Sequence, residues 1–435
     1  MRKQTRRQNG PAPAAEQKNT KWNCPYAGKC GGCDYAGMPY AGQLKRKEAF
    51  LRESIGAVCR ACRCRIEPIL GAEDPFYYRN KVHAALARGP KGTAIRGIYR
   101  KNTHHVIPVR GCLLEDRRAD AIIEAVTEMI PSFKWKVYDE DTGVGLIRHI
   151  MVRTASEGIM LILVTAVPQL PGKNNFVKAI RRQFPEITTI VQNINSRRTS
   201  MVLGDRNIVL WGKGTILDRS LGMDFRISPS AFYQVNARQT KKLYRLAREM
   251  AGLTGTEHVL DAYCGTGTIG MFMAPFAGDV TGVELNRHAV KDAVANARSN
   301  HIRNIEFICA DATEFLQACA ANRLEGPAFD VLCMDPPRSG STPEFIRAAA
   351  ALAIPKIVYV SCGPESLARD LEEFCRCGYR IIRVVPVDMF PFTKDVETVC
   401  LLSNTQSKKK ESYITLDVEM ADYYRIKNEG KNSTT

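Results

Sequence analysis

The feature that most constrains this chain is a regular alternation of short apolar runs and helical segments between residues 257 and 402. The apolar runs include HVLDAYC, DVTGVE, IEFICAD, FDVLCMD and KIVYVSC, and each precedes a segment with helical spacing. Short apolar strands that alternate with helices are typical of a parallel sheet with helices on both faces. The pattern therefore predicts a doubly wound α/β domain over residues 231–402.

The rest of the chain divides where its composition changes. Residues 1–22 are polar and are predicted to form a disordered basic arm. Residues 23–115 hold a cysteine and glycine group followed by the start of a β-rich region, and residues 116–230 continue as a central α+β domain with antiparallel strands. Helical spacing predicts a helix over 231–251. Residues 403–435 follow the last predicted strand as an extension, which we expect to be partly disordered.

Charge is distributed unevenly along the sequence. The chain has 62 Lys and Arg against 45 Asp and Glu, and the first 110 residues alone hold 22 basic and 7 acidic side chains. Such a block indicates a polyanionic partner, first of all a nucleic acid, although a solubilising tail is the alternative. No apolar stretch is long enough to span a membrane, and no apolar leader follows the N-terminus. We therefore expect a cytoplasmic protein without a membrane partner.

Acidic residues end three successive predicted strands. Asp261 ends the first, beside the glycine turn of DAYCGTG, Glu284 ends the second 23 residues later, and Asp311 ends the third. Carboxylates at these positions suit the ribose and adenine of a cationic ligand better than a pyrophosphate, and S-adenosylmethionine fits that description. The alternative is that the three residues only cap the helices that follow them.

Candidate reactive side chains are predicted at the same edge of the sheet. Asp335 closes the fourth strand in MDPPRSG, and Cys362 follows the fifth in SCGP, where a helix N-terminus is expected to favour its thiolate. A thiolate beside a methyl donor indicates methylation of a pyrimidine at C5, because addition to C6 makes C5 nucleophilic. Glu397, at the start of the last strand, is the predicted base that removes the C5 proton. A buried structural cysteine and an exposed edge carboxylate are the alternatives.

These motifs resemble the S-adenosylmethionine-dependent RNA 5-methyluridine methyltransferases, the RumA/TrmA-like group. The resemblance covers about residues 23–402 and is carried by FYQVN, DAYCGTG, DPPR, SCGP and VETV. It implies a Rossmann-like methyltransferase sheet, Cys362 as nucleophile and Glu397 as proton acceptor. It also implies that the cofactor is bound by Gln234, Tyr263, Glu284 and Asp335. Arg338 is expected to order the uracil pocket.

Two positions depart from the usual pattern of this group. Gly363 stands where an asparagine usually follows the cysteine, and Asp395 stands where a histidine usually precedes the VET run. Neither position carries the covalent step. The departures therefore concern loop contacts rather than the reaction.

The first cysteine group predicts a metal or cluster site. Cys24, Cys30 and Cys33 lie in a glycine-rich segment, and Cys112 is the candidate for the fourth ligand. Spacing alone leaves zinc and an iron–sulfur cluster open. The resemblance implies a 4Fe-4S cluster, since the ribosomal-RNA branch of the group has such cysteines and the tRNA branch lacks them.

A second cysteine group comprises Cys59, Cys62 and Cys64. These residues alternate with arginines, which suggests a basic strand, and no fourth ligand is evident. We therefore interpret this group as structural thiols rather than as a metal site.

Together these features predict an enzyme that methylates C5 of a uridine in 23S ribosomal RNA through a covalent bond between Cys362 and C6. Many members of the group begin with a small β-barrel that binds RNA. The 23 residues before Cys24 are too few for one, so RNA is expected to be held by the basic arm and the β-rich region. We expect a monomer that acts before the ribosomal subunit is fully assembled. The same chemistry on tRNA and a non-catalytic iron–sulfur RNA-binding protein are the alternatives.

Overall fold

The computed structural model describes four stretches of the chain, which are residues 24–100, 103–198, 201–321 and 328–405. The predicted arm over 1–22 and residues 406–435 of the predicted extension lie outside the described residues. Within the described stretches, no helix is long and apolar enough to cross a membrane.

The described chain starts with the first cysteine group and helix α1 (Tyr40–Ala61), and then enters a sheet of seven strands. These strands are β1 (Lys81–Arg88), β2 (Ala94–Tyr99), β3 (Val106–Ile107), β4 (Ile147–Ala155), β5 (Gly158–Thr165), β6 (Ile187–Ile194) and β7 (Arg206–Trp211). Their order is β3-β2-β1-β4-β5-β6-β7, and all neighbours are antiparallel except β5 and β6. The predicted α+β architecture is confirmed.

Both faces of this first sheet are covered. Helices α2 (Arg117–Met129) and α3 (Lys173–Gln183) lie on one face, where apolar strand and helix side chains form a buried core. A small hairpin of β8 (Ile216–Asp218) and β9 (Phe225–Ile227) packs on the other face against residues such as Met160. Helix α3 also explains the one parallel pair, because parallel strands need a crossover connection.

The second sheet contains β10 (His258–Ala262), β11 (Asp279–Glu284), β12 (Ile305–Cys309), β13 (Val331–Met334), β14 (Lys356–Ser361), β15 (Tyr379–Val387) and β16 (Glu397–Asn404). Its order is β12-β11-β10-β13-β14-β16-β15. The predicted doubly wound sheet is confirmed, with the difference that β16 runs antiparallel to both of its neighbours. The reason is its connection: β16 returns from β15 through a short loop, and a short loop can join only antiparallel strands.

Among the described residues from 237 onward, the helices that flank this second sheet are α4 (Ala237–Ala251), α5 (Thr268–Met273), α6 (Arg287–Ser299), α7 (Ala312–Ala320), α8 (Pro343–Ala351) and α9 (Pro364–Arg376). Successive strand residues point to opposite faces, so Leu260 and Leu332 belong to one buried core while Val259 and Val331 belong to the other. Because both faces of these strands are buried, their sequences are almost continuously apolar.

The start of α4 differs from the sequence prediction. Residues 231–236 are not helical, because the side chain of Asn236 caps the helix by accepting a hydrogen bond from the backbone N–H of Gln239 at 3.2 Å. Asn80 holds this segment against the first sheet. Its backbone N–H donates to the Val235 carbonyl at 3.0 Å, and its Nδ2 donates to the Gln234 carbonyl at 3.1 Å.

Helix α1 packs on the second sheet. Its Leu51 and Ile55 are fully buried in the core that also contains Leu371 and Phe374 of α9. The chain after α1 then forms parallel bridges to β15, with Leu70 opposite Val387 and Ile66 opposite Val384. By its contacts this segment belongs to the second sheet, although the sequence grouped it with the β-rich region.

Candidate active site and cysteine group

The glycine turn after β10 brings two strand ends together. Tyr263 has a φ of 62° and Gly267 a φ of 75°, and a Cβ at Gly267 would lie 2.6 Å from the ring of Phe307. The N–H of Gly265 donates to Glu284 at 3.0 Å, and the other oxygen of that carboxylate accepts from the Asn286 N–H at 2.7 Å. Glu284 is therefore held against the turn at the end of β11, as predicted from the spacing.

Asp261 and Asp311 accept hydrogen bonds from backbone N–H groups at this edge of the second sheet. Asp261 is fully buried, and its Oδ2 accepts from the Gly270 N–H at 2.7 Å, while its Oδ1 has no partner within the described stretches. Asp311 accepts from the N–H groups of Thr313 and Glu314 and so caps α7. This is the capping alternative raised from the sequence, and a cofactor role for Asp311 stays a prediction.

Three of the predicted functional residues meet at the carboxyl end of the sheet. Asp335 directly follows β13, Cys362 directly follows β14, and Glu397 is the first residue of β16. Ser361 pairs with Thr398 across the β14–β16 ladder, so Cys362 and Glu397 are each one residue beyond that pair. The antiparallel strand thus brings a thiol and a carboxyl group side by side.

The protonation of Cys362 differs from the prediction. Burial is the main reason that its pKa rises to about 12, and the nearby Glu397 and Asp335 add to the rise. Arg338 opposes it. Burial and the two carboxyl groups therefore disfavour the thiolate that the position before α9 had suggested.

Glu397 is also in a setting that disfavours charge. It is 4% exposed, and its pKa rises to about 8, first because of burial and then because of Asp335 and Asp395. Arg338 lowers the pKa of Glu397 and forms an ion pair with Asp395 at 3.2 Å. Asp395, which stands where the family usually has a histidine, is therefore the ion-pair partner of Arg338 in the DPPR motif.

The remaining predicted cofactor residues border this edge. Tyr263 lies with its hydroxyl 3.1 Å from the Ser341 hydroxyl and its ring against Phe345. Gln234 is buried in the non-helical segment that Asn80 anchors. Tyr244, which belongs to none of the sequence motifs, is buried near this edge, and its hydroxyl lies 3.0 Å from the Thr268 hydroxyl.

The pKa values at this edge predict how stability depends on pH. Burial raises the pKa of Asp335 to about 7 and that of Glu397 to about 8, so the folded chain keeps protons that the unfolded chain releases. That contribution is complete below the ordinary carboxyl pKa and is lost as pH rises through about 7 to 8. Urea unfolding between about pH 6.5 and 8.5 should therefore show falling stability, with a shallower slope for Asp335→Asn. Equal slopes for the two proteins would contradict this.

The first cysteine group comes together around one cavity. A cavity of about 110 Å³ is lined by several side chains, among them Cys24, Cys30, Cys33 and Cys112. Burial is the main reason that the pKa values of Cys33 and Cys112 rise to about 12, and Arg79 opposes the rise at both. Among the described residues, no group of three or more cysteine, histidine or acidic side chains is arranged to hold a metal ion.

The second cysteine group is not on a strand. Cys59 lies within the last turn of α1, and Cys62 and Cys64 follow in the turn, where Arg63 has a φ of 56°. The Sγ of Cys62 lies 3.4 Å from that of Cys375 in α9. The alternation with arginines reflects the end of a helix, and these arginines line a surface cleft together with Cys59 and Cys64.

The fold and the strand-end site define a Rossmann-like methyltransferase. A solved structure of the Pyrococcus abyssi tRNA (uracil-54, C5)-methyltransferase in complex with S-adenosyl-L-homocysteine is similar over 86% of both chains, with a TM-score of 0.71 and 28% identity. An uncharacterized RNA methyltransferase of Clostridium tetani is 40% identical over 89% of this chain and 84% of its own length. One of Staphylococcus aureus is 38% identical over 87% of this chain and 83% of its own.

The profile of the tRNA (Uracil-5-)-methyltransferase family matches residues 175–405. The chain belongs to this family and is an S-adenosylmethionine-dependent RNA methyltransferase. The resemblance given by the sequence motifs is thereby confirmed at the level of the family.

Proposed function

We propose that the protein methylates C5 of a uridine in 23S ribosomal RNA through a covalent adduct between Cys362 and C6. The C5 chemistry is carried by one observation, the adjacency of Cys362 and Glu397 beyond the Ser361–Thr398 pair. A nucleophile and a base on one side of a bound ring are what this reaction requires.

The reaction begins with a uridine flipped out of its stack, since C5 is otherwise inaccessible. The Cys362 thiol first releases its proton to solvent, and its Sγ then adds to C6, so that the electron pair of the C5–C6 double bond becomes available at C5. S-adenosylmethionine, when bound, would supply an electrophilic methyl group, which C5 takes as the methyl–sulfur bond breaks and S-adenosylhomocysteine is left. Glu397 then accepts the C5 proton. The C5–H electrons restore the double bond, and the thiolate leaves C6.

The acidic character of the edge supports a cationic cofactor. The pKa values of Asp335 and Glu397 are raised, and each carboxyl group raises the pKa of Cys362, which indicates that several acidic groups share this edge and disfavour one another's negative charge. A positive ligand relieves this repulsion, so it should favour ionised carboxylates and a lower pKa at the Cys362 thiol. We assign cofactor binding to Gln234, Tyr263, Glu284, Asp311 and Asp335.

Cys24, Cys30, Cys33 and Cys112 are proposed to hold a 4Fe-4S cluster. Four thiols line one cavity, which is the number and type of ligand that such a cluster needs, and Arg79 lies close enough to lower the pKa of two of them. The proposal supposes that cluster binding draws these thiols into a ligand arrangement that they do not have in this structure. Methyl transfer from a sulfonium needs no redox step, so we assign the cluster a structural role. This site also supports ribosomal RNA as the substrate, through the resemblance to that branch.

Cys30→Ser should remove the iron–sulfur absorption and lower solubility or RNA affinity, because one of four ligands is lost. Iron content, the visible spectrum and RNA binding measure the outcome. Cys309→Ser is the control, since that exposed cysteine lies at the end of β12, outside the group. Full activity on ribosomal RNA after complete loss of iron would contradict a structural role.

A tRNA uridine is the second candidate substrate. It is favoured by the similarity to the Pyrococcus abyssi enzyme, whose named substrate is uracil-54 of tRNA. Transfer of labelled methyl groups to purified 23S rRNA and tRNA, each lacking 5-methyluridine, distinguishes the two. Label in 23S rRNA alone supports the first proposal, and label in tRNA alone overturns it. Absence of cofactor binding would instead favour a non-catalytic RNA-binding protein.

A further inference from the structure

We infer that Lys47 of helix α1 is a positioning residue for Glu397, and this inference rests on the proposed role of Glu397 as the base. The connection from β15 to β16, residues 388–396, is here called the 388–396 loop. It carries Asp395, the partner of Arg338, and leads directly into Glu397. Glu397 also pairs with Val387 in the β15–β16 ladder, so the loop fixes its approach on the N-terminal side.

Lys47 ties the two ends of the 388–396 loop together. Its side chain is fully buried, and Nζ donates to Asp388 Oδ1 at 2.5 Å, to the Phe390 carbonyl at 3.0 Å and to the Asp395 carbonyl at 2.7 Å. A lysine ammonium has three donors, and all three are used on this loop. The last bond holds a residue only two positions before Glu397.

Other residues from the N-terminal part of the chain support the same loop. The hydroxyl of Tyr40 donates to Asp388 Oδ2, and Gln43 Oε1 accepts from the Phe392 N–H at 2.9 Å. Phe392 has a φ of 68°, a conformation that is unfavourable for a residue with a side chain and so needs external contacts. Asp34, next to Cys33, donates its N–H to the Phe392 carbonyl at 3.0 Å.

The hydrogen bonds by which Lys47, Tyr40 and Gln43 hold the 388–396 loop do not involve Cys362. It directly follows β14, whereas Glu397 is held on one side by its pairing with Val387 of β15 and on the other by the loop that Lys47 contacts. A displacement of about 1 Å in a reacting group can cost about 100-fold in rate. Loss of the Lys47 bonds should therefore spare thiol addition and methyl transfer but slow the later removal of the C5 proton. The ordinary alternative is a buried ion pair with Asp388 that affects only folding.

The test uses Lys47→Met in the full-length protein, with labelled cofactor and RNA substrate. The variant should keep its cofactor affinity and should raise the ratio of methylated covalent adduct to released product by about tenfold, because the base step alone is impaired. Denaturing gels and product counts measure this ratio. The matched control is Lys356→Met, which removes another buried lysine at the opposite end of β14, where Nζ donates to the Ala251 carbonyl. It should not raise the ratio.

A second variant separates positioning from the cost of an unpaired buried charge. Lys47→Met with Asp388→Asn removes both charges, so stability should recover relative to Lys47→Met while the adduct persists. If neither variant folds, Lys47→Gln with Asp388→Asn decides, since the amide keeps two donors in the buried site but cannot serve all three acceptors that Lys47 Nζ reaches. That variant should give a smaller rise in adduct.

Normal product release by the folded variants, or slower turnover without adduct, would overturn the inference. Glu397→Gln, run in parallel, distinguishes a failure of the positioning role of Lys47 from a failure of the assignment of Glu397 as the base. No adduct with Glu397→Gln contradicts the assignment of Glu397 as the base, on which this inference rests, whereas absence of methyl transfer by the unmodified protein contradicts the proposed function itself. An adduct with Glu397→Gln but with none of the folded Lys47 variants contradicts only the positioning role.

Discussion

Replacing Cys362 by alanine is expected to abolish methyl transfer and to leave no covalent protein–RNA complex. An apolar methyl group cannot add to C6, so C5 never becomes nucleophilic enough to take the methyl group. Loss of an essential nucleophile should lower the rate by at least about 10⁴-fold. Incorporation of labelled methyl groups measures the rate, and denaturing gel electrophoresis detects the complex.

Two measurements show whether this loss is specific. Cofactor affinity should remain, because Cys362 has no assigned role in binding the cofactor. Cys319→Ala provides the matched control, since Cys319 is a partly buried cysteine of α7 with no assigned role, and it should stay active. A covalent RNA complex formed by Cys362→Ala would contradict the assignment of the nucleophile.

The strand-end placement of the site could be predicted because it depends on a simple geometric rule. In a parallel sheet the carboxyl ends of the strands lie at one edge, so Glu284, Asp335 and Cys362 had to be near one another if the alternation was real. The structure confirms the sheet that carries them. Glu397 reaches that edge differently, as the first residue of an antiparallel strand.

The ionisation of the site could not be predicted from the sequence. The position of Cys362 before α9 suggested a thiolate, but its pKa is set by burial and by carboxyl groups from two other strands. Such effects depend on distances between residues that are far apart in the chain. The same reason applies to Asp395, whose contact with Arg338 joins segments about 57 residues apart.

Lys47 was missed although the sequence held a signal. It lies in the basic run KRKE, which indicates a solvated helix face. Helical spacing nevertheless places it four residues before Leu51 and eight before Ile55, on the stripe that is fully buried in the structure. A lysine on the apolar stripe of a helix needs a buried partner, and here that partner is Asp388, more than 300 residues away.

Replacing Glu397 by glutamine is expected to stop the reaction later than the loss of Cys362 does. The amide keeps the shape of the side chain but cannot accept the C5 proton, so the thiolate cannot leave C6. Addition and methyl transfer still occur. The variant should therefore accumulate a protein–RNA adduct that is already methylated, while turnover falls by about 10² to 10⁴-fold.

The two variants together distinguish the order of the steps. An adduct that carries labelled methyl groups places proton removal after methyl transfer, and an unlabelled adduct would place the defect earlier. Glu306→Gln, a glutamate on the distant edge strand β12, should turn over normally and form no lasting adduct. Asp335→Ala should suppress methylated adduct by impairing cofactor binding. Normal turnover by Glu397→Gln would show that another group removes the C5 proton.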